Sequence, residues 1–227
     1  MTKCLWCGHK LSMFSSLRFV FSWHPLKKHV FCEDCLQKFY PIDSNSCCPG
    51  CSRPQASREN YCKDCQSWLK KYPKHLVQHH ALYSYNAFAK EVMKQYKYQG
   101  DYVLAHGVAP LLQKTLRPYL KSHTICPIPS NFTNYKKRGF VPTECLLKTS
   151  QIPYTPLLKH IGQSSQSTKT KKERLASSQP FKKCSVPRTP SNVLLMDDVY
   201  TTGRTLLFAK ELLANHNVKI ESLSLFR

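Results

Sequence analysis

Residues 193–205 decide the fold, and they run Val193-Leu194-Leu195-Met196-Asp197-Asp198-Val199-Tyr200-Thr201-Thr202-Gly203-Arg204-Thr205. Four apolar residues in succession predict a buried strand, and the polar residues after them predict a loop. Leucines within residues 206–213 then recur at helical spacing, and residues 220–226 predict a last strand. A strand, a loop, a helix and a strand of these lengths predict one right-handed crossover unit of a parallel sheet.

Two carboxylates, Asp197 and Asp198, stand at the carboxyl end of the first predicted strand. Open parallel sheets bind ligands at this edge, and the helix start that follows the loop offers backbone N–H groups to an anion. The three threonine hydroxyls can add to these donors, and Gly203 permits close backbone approach. The carboxylates can accept hydrogen bonds from vicinal ribose hydroxyls, directly or around a hydrated Mg²⁺. We therefore predict a site for a phosphorylated sugar, with a ligand-free helix-capping loop as the alternative.

Eight of the twelve cysteines lie within the first 65 residues as four Cys-x2-Cys pairs. One such turn brings two thiolates to a metal ion, so two turns supply the four sulfur ligands that structural zinc prefers. The sequence therefore predicts two structural Zn²⁺ sites. Free thiols or disulfides are the alternative, which the lack of an apolar export signal in the first residues disfavours. The pairs are Cys4/Cys7, Cys32/Cys35, Cys48/Cys51 and Cys62/Cys65.

The local sequence around the pairs bears on how they combine. Helix-like runs follow the second and fourth pairs, whereas the first and third pairs lie in turns beside Gly8 and Gly50. This favours sequential sites, one formed by the first two pairs and one by the last two. A crossed pairing remains open from the sequence.

The cysteine pattern stops near residues 72–78, so we expect a zinc-binding domain at 1–75 and an α/β domain at 76–227.

Residues 125–128 predict a further short strand, which runs into Pro129-Ser130-Asn131. Residues 162–191 are rich in Ser, Thr, Lys and Gln with few apolar side chains. Such a segment cannot bury much surface, so we predict a mobile loop or lid, with a plain surface linker as the alternative.

The chain is strongly basic: 34 Lys and Arg face 13 Asp and Glu, a formal net charge of +21. This balance favours polyanionic partners such as nucleic acids or phosphorylated ligands. The longest apolar stretches, such as residues 104–112, fall short of the roughly 20 residues that span a bilayer. We therefore expect a cytoplasmic protein whose contact with a membrane, if any, is peripheral at the inner face.

The 193–205 run resembles the binding signature for phosphoribosyl pyrophosphate (PRPP) in the type I phosphoribosyltransferases. That signature has an apolar strand, two acids and a Thr-Thr-Gly-x-Thr loop. The resemblance implies a phosphoribosyltransferase-like parallel sheet flanked by helices. It also implies that Asp197 and Asp198 face the ribose hydroxyls, that residues 201–205 hold the 5-phosphate, and that Mg²⁺ accompanies PRPP.

With a cysteine-rich segment ahead of this signature, the whole chain resembles the ComF family of competence proteins. Tyr96-Lys97-Tyr98-Gln99-Gly100-Asp101 resembles that family's Phe-Lys-aromatic-x-Gly-Asp segment. Pro127-Ile128-Pro129 followed by Arg138-Gly139-Phe140 resembles its Pro-Val-Pro…Arg-Gly-Phe block, and Gln166 and Arg174 fit the spacing of its polar loop.

The chain departs from the family pattern in two places. Val141-Pro142 stands where relatives commonly have Asn-Gln, and the Asn usual after the loop arginine is absent near Ser177-Ser178. Both departures lie where an acceptor or pyrophosphate would be handled, so they weaken the expectation of transferase chemistry more than that of PRPP binding.

Membership of the family implies a part in natural transformation, with single-stranded DNA and a ComFA-type helicase as partners. Two alternatives stay open: an active phosphoribosyltransferase in nucleotide salvage, and a zinc-dependent interaction protein with a vestigial pocket. Aromatic residues flank basic residues in the segments 96–98 and 135–140. Such segments suit single-strand binding, because the rings stack on bases and the cations neutralise phosphates. Candidates for contacts with pyrophosphate or DNA are Lys97, Lys136, Lys137, Arg138 and Arg174.

Overall fold

The computed structural model describes residues 3–11, 31–72, 78–161, 179–187, 190–214 and 218–227, which contain seven α-helices, six strands and two short 3-10 helices, Tyr102–Leu104 and Arg117–Lys121. The helices are α1 (Glu33–Gln37), α2 (Lys63–Lys71), α3 (Ala87–Tyr98), α4 (Ala105–Leu116), α5 (Phe132–Arg138), α6 (Pro142–Thr149) and α7 (Arg204–Leu213). The strands are β1 (His79–Tyr83), β2 (Thr124–Pro127), β3 (Leu158–His160), β4 (Phe181–Lys183), β5 (Asn192–Val199) and β6 (Lys219–Phe226). None of these helices is long and apolar enough to cross a bilayer.

A four-stranded parallel sheet with the order β1-β6-β5-β2 forms the centre of the fold. The β5 strand pairs with β2 on one side and with β6 on the other, so the predicted unit of strand, helix and strand is β5-α7-β6. The predicted class, a mainly parallel α/β sheet flanked by helices and preceded by a cysteine-rich region, is confirmed.

Both faces of the sheet are covered, because successive residues of a strand point to opposite sides. Leu194 and Met196 of β5 pack in a core with buried residues of α3, α4 and α6. Val193 and Leu195 pack in a second core with α7 and with β3 and β4. This double coverage explains the uninterrupted apolar run of β5.

The cysteine-rich region contributes to both cores. Cys4, Cys32 and Cys35 are buried in the core of the α3, α4 and α6 face, together with Phe31 and Phe39. The buried cysteines of the later pairs, Cys48, Cys51 and Cys65, belong to the core of the other face. The expected boundary near residue 75 falls among residues 73–77, outside the described part.

The β3 and β4 strands form an antiparallel hairpin beside the main sheet. Strand β4 lies within residues 162–191, where the sequence predicted a loop. Its pairing places Phe181 in the core with Leu158, which the polar composition around it did not indicate. Residues 162–178, the larger part of that expected loop, lie outside the described residues.

Candidate functional site

The carboxyl end of β5 brings two acidic side chains to the edge of the sheet. Asp198 points to the α3 face, where Lys97 Nζ lies 2.7 Å from its Oδ1 atom. The Asp197 Oδ1 atom accepts a hydrogen bond of 2.9 Å from the backbone N–H of Asp198. The two carboxylates thus have different partners although they are adjacent in sequence.

The electrostatic environment separates the two acids further. Burial, reinforced by the negative charge of Asp198, raises the pKa of Asp197 to about 7, against an ordinary value of 3.8. Lys97 opposes this rise without cancelling it. Asp197 can therefore hold or release a proton near neutral pH, and it can both donate and accept hydrogen bonds there.

Residues 200–203, which we call the β5–α7 loop, turn the chain from the strand into α7. Gly203 has a φ of 78°, in the left-handed region. A Cβ atom on Gly203 would overlap the hydroxyl oxygen of Tyr200 and lie 2.7 Å from its Cζ atom. Glycine is therefore required both by the backbone conformation and by the neighbouring ring. With this turn, α7 begins at Arg204 and directs its N-terminus at the sheet edge.

A cavity of about 390 Å³ lies over this edge. The acids and the threonines form one wall, residues after β2 and on α5 form another, and α3 and the β3–β4 hairpin close the sides. Its lining includes Asp197, Asp198, Val199, Thr201, Thr202, Thr205, Ser130, Asn131, Asn134, Arg138, Tyr85, Lys97, Tyr98, His160 and Phe181. The enclosure offers carboxylates, hydroxyls and two cations to one ligand.

Two residues of the signature, Tyr200 and Arg204, have side chains that do not line the cavity. Tyr200 is buried and its ring stacks on His79, with 4.3 Å between the centroids. Arg204 is buried with its guanidinium carbon 4.0 Å from the Phe208 ring centroid, and it donates a hydrogen bond to the Tyr72 hydroxyl. These two side chains pack against the side of the loop that faces away from the cavity, and Gly203 leaves room for the Tyr200 ring.

The basic candidates separate in the structure. Lys97 and Arg138 line the cavity, and the Arg138 guanidinium lies 5.0 Å from the centre of the Tyr98 ring. Lys136 and Lys137 lie on the exposed side of α5. Arg174 lies outside the described residues.

Two polar residues that sequence reasoning did not assign to the site are Ser130 and Asn131. They follow β2, which is the parallel neighbour of β5, so both strands end at the same edge. Asn131 is 3% exposed, and its side chain accepts a hydrogen bond from the Asn134 N–H at the start of α5. The predicted strand at 125–128 was the available signal, because a parallel partner of β5 must present its following residues here.

The eight paired cysteines gather in two clusters. The first cluster is Cys4, Cys7, Cys32 and Cys35, and the second is Cys48, Cys51, Cys62 and Cys65. In each cluster the four sulfur atoms lie within 4.8 Å of one another. The structure therefore has the sequential arrangement and not the crossed one.

The sulfur geometry suits a tetrahedral metal ion. Sγ–Sγ distances are 3.8 Å for Cys4–Cys35 and 3.6 Å for Cys51–Cys62. Metal–sulfur bonds of about 2.3 Å in a tetrahedron place sulfurs at about 3.8 Å, well beyond a disulfide length. The backbone N–H groups of Cys32 and Cys62 donate to sulfurs of Cys4 and Cys48, which stabilises thiolates. Each cluster can hold one metal ion, consistent with zinc.

No protein-family model matches the chain, but two curated proteins do. It is 33% identical over 229 residues to Competence protein ComFC of Streptococcus pneumoniae (strain ATCC BAA-255 / R6), an alignment that covers 99% of this chain and all of that protein. It is 32% identical over 214 residues to Competence protein ComFC of Bacillus subtilis (strain 168), covering 91% of this chain and 86% of the relative. The first alignment includes both cysteine clusters and the β5–α7 loop. By these matches, the chain belongs to the ComFC family of competence proteins.

Proposed function

We propose that this chain serves the uptake of transforming single-stranded DNA and that its cavity binds a phosphorylated ribose of the PRPP type. The names of both relatives support the first part, since each is a competence protein. One observation carries the second part: two carboxylates and a threonine-rich loop converge on the same cavity at the carboxyl edge of a parallel sheet.

The ligand is expected to lie along that edge. Its 5-phosphate would meet the hydroxyls of Thr201, Thr202 and Thr205 and the backbone N–H groups of the loop. Its ribose hydroxyls would donate to Asp197 and Asp198. Mg²⁺, when bound, would balance the pyrophosphate charge, because carboxylates and phosphate oxygens are its preferred ligands.

Exposed aromatic rings on α3 and α5, two helices that contribute residues to the cavity lining, support single-strand binding. Tyr98 and Phe132 are 63% and 61% exposed, and Tyr135 is 46% exposed. Cations accompany them, since Lys136 Nζ lies 4.8 Å from the centre of the Phe132 ring. Flat rings next to basic groups stack on bases of any sequence while the cations neutralise phosphates. Binding should therefore be sequence-tolerant and should weaken with salt.

We further propose that the metal in both clusters is structural Zn²⁺, since four thiolates leave no open position for catalysis. We place the chain in the cytoplasm, or at the inner face of the membrane, where a ComFA-type helicase would be its partner. Family resemblance supports this assignment, together with the basic charge of the chain.

The direct test combines calorimetry with a cellular assay. Purified chain should bind PRPP with Mg²⁺, and the Asp197→Ala/Asp198→Ala variant should lose at least about tenfold in affinity, because it loses two charge-assisted hydrogen-bond acceptors. Cells lacking the gene should take up little DNA, and the double variant should restore uptake poorly. Failure of the wild-type chain to bind PRPP would remove the ligand proposal, and undiminished uptake in cells lacking the gene would remove the competence proposal.

An active phosphoribosyltransferase is the second candidate. The cavity extends past the carboxylates to His160 and Phe181, which leaves room beside the ribose for an acceptor base. Release of pyrophosphate from PRPP in the presence of one base, abolished by Asp198→Ala, would support this activity. Absence of release across purines and pyrimidines would count against it without affecting the binding proposal.

A further inference from the structure

The second cluster is connected to the β5–α7 loop through Trp68. This residue lies in α2, one turn after the sulfur ligand Cys65, and is 5% exposed. Its indole N–H donates a hydrogen bond of 2.8 Å to the carbonyl oxygen of Thr202. The helix that carries a ligand of the cluster therefore also holds a peptide group of the loop.

The guanidinium group of Arg227 makes a second connection. It donates hydrogen bonds to the carbonyl oxygen of Cys51 over 3.2 Å and to the Cys51 sulfur over 3.4 Å. A third bond of 3.3 Å reaches the carbonyl oxygen of Thr201. The same group lies 4.6 Å from the centre of the Tyr200 ring. One side chain thus bridges a sulfur of the cluster and two residues of the loop.

A further contact fixes the cluster to the sheet beneath the loop. The N–H of His79 in β1 donates to the carbonyl oxygen of Gly50, and the Ser52 hydroxyl donates to the carbonyl oxygen of His79. The His79 ring in turn stacks on Tyr200. The cluster, the first residue of β1 and the loop therefore form one packed unit.

These contacts fix the direction of two peptide groups. In a planar trans peptide the C=O of one residue and the N–H of the next point to opposite sides. With the carbonyls of Thr201 and Thr202 held toward Arg227 and Trp68, the N–H groups of Thr202 and Gly203 point away from the cysteine cluster. The threonine side chains of this loop line the cavity, so the same side is where an anion would be received.

We propose that Trp68 and Arg227 are positioning residues for the phosphate group of the ligand, and that metal in the second cluster strengthens ligand binding through them. The inference rests on the proposed PRPP-type site. Because linkage is reciprocal, bound ligand also retains metal in the second cluster. The first cluster lies on the other face of the sheet, and no hydrogen bond of its four cysteines reaches the loop within the described residues.

Calorimetry with PRPP and Mg²⁺ tests the positioning role. Trp68→Phe keeps the aromatic packing but removes the N–H donor, so affinity should fall by about threefold to tenfold, as for the loss of one hydrogen bond. Arg227→Lys keeps the charge but cannot bridge three acceptors, and it should weaken binding similarly. Trp6→Phe is the matched control, because Trp6 packs on Phe88 at 5.1 Å beside the first cluster and should leave affinity unchanged.

Metal release gives a readout independent of affinity. A chromogenic chelator should remove two equivalents of metal from the wild-type chain, and PRPP should slow the release of one equivalent only. This protection should be lost in Arg227→Lys and kept in Trp6→Phe. Zinc content and thermal unfolding identify any variant that fails to fold. If Trp68→Phe fails to fold, the result for Arg227→Lys decides whether the cluster and the ligand site are coupled.

The outcomes separate the two proposals. If the wild-type chain does not bind PRPP, the ligand site itself is wrong, and this inference falls with it. If PRPP binds and both variants bind as tightly as the wild type, or if PRPP leaves metal release unchanged, only the coupling is wrong.

Discussion

Lys97 Nζ lies 2.7 Å from Asp198 Oδ1, and this ion pair joins the last turn of α3 to the end of β5. Both side chains are largely shielded, with 18% of Lys97 and 9% of Asp198 exposed. An unpaired carboxylate at this depth would be costly, since its charge is poorly solvated. Lys97 therefore gives the buried Asp198 carboxylate a charged partner in the cavity wall.

Replacing Lys97 by Met should destabilise the fold by about 1–3 kcal/mol, because Asp198 would lose its charged partner. Lys94→Met is the matched control on the same helix, since Lys94 is 63% exposed and should change stability by less than about 0.5 kcal/mol. Urea unfolding of both variants measures the difference. Equal stability of the two would show that the pair contributes nothing.

Gly203→Ala should cost more stability than Gly100→Ala. Both glycines have a positive φ, 78° and 72°, so each pays the backbone strain of about 1 kcal/mol. Only at Gly203 does a Cβ meet a neighbour, the Tyr200 ring, whereas Gly100 faces open space. The difference in unfolding free energy isolates the collision with Tyr200. PRPP binding should weaken in Gly203→Ala alone, because the ring or the loop must move.

Stability should depend on pH through Asp197. Its pKa of about 7 exceeds the ordinary 3.8, so between these values the folded chain keeps a proton that the unfolded chain loses. Stability from this group therefore falls as pH rises toward about 7, by at most about 1.4 kcal/mol per pH unit. Asp197→Asn should remove that slope.

Denaturant unfolding of both chains at about pH 6 and about pH 7 measures this effect. The wild-type chain and Asp197→Asn have the same cysteine clusters, so any effect of pH on metal binding by the clusters is the same in both and cancels in the comparison. Identical slopes for the wild type and Asp197→Asn would contradict a raised pKa at this residue.

Metal content should follow the clusters. The wild-type chain and Cys184→Ser should each hold about two zinc ions, because Cys184 lies outside both clusters. Cys51→Ser removes a fully buried ligand, so its zinc content should fall to about one and its melting temperature should drop. Elemental analysis by mass spectrometry gives the content. Two ions retained by Cys51→Ser would exclude the second cluster as assigned.

The sequence predicts the local parts of the site well. An apolar run, two acids and Gly203 specify a strand, an edge and a turn through short-range effects alone. The Cys-x2-Cys turns are also specified by local sequence. Their sulfur atoms combine in the sequential pairing that the flanking glycines and helix-like runs favoured.

Long-range supports of the site carry no local signal. Trp68 meets Thr202 across 134 residues, and Arg227 meets Cys51 across 176. A single tryptophan in a short helix or an arginine after a strand is typical of many surfaces, so only the packed fold shows the role. The β3–β4 hairpin was not predicted for a related reason. Its three-residue strands are too short to show a periodic pattern, and their structure depends on the pairing of β3 with β4.

The strand order has a consequence for how the molecule is made. Strand β1 pairs with β6, which follows every other strand in the chain, so β1 emerges from the ribosome well before its partner. Until β6 arrives, the sheet lacks the strand that joins β1 to β5. We therefore expect the cysteine segments to capture their metal early but to lack their docking surface until synthesis reaches β6. Such late closure makes folding slow and leaves apolar strand faces open to chaperones during translation.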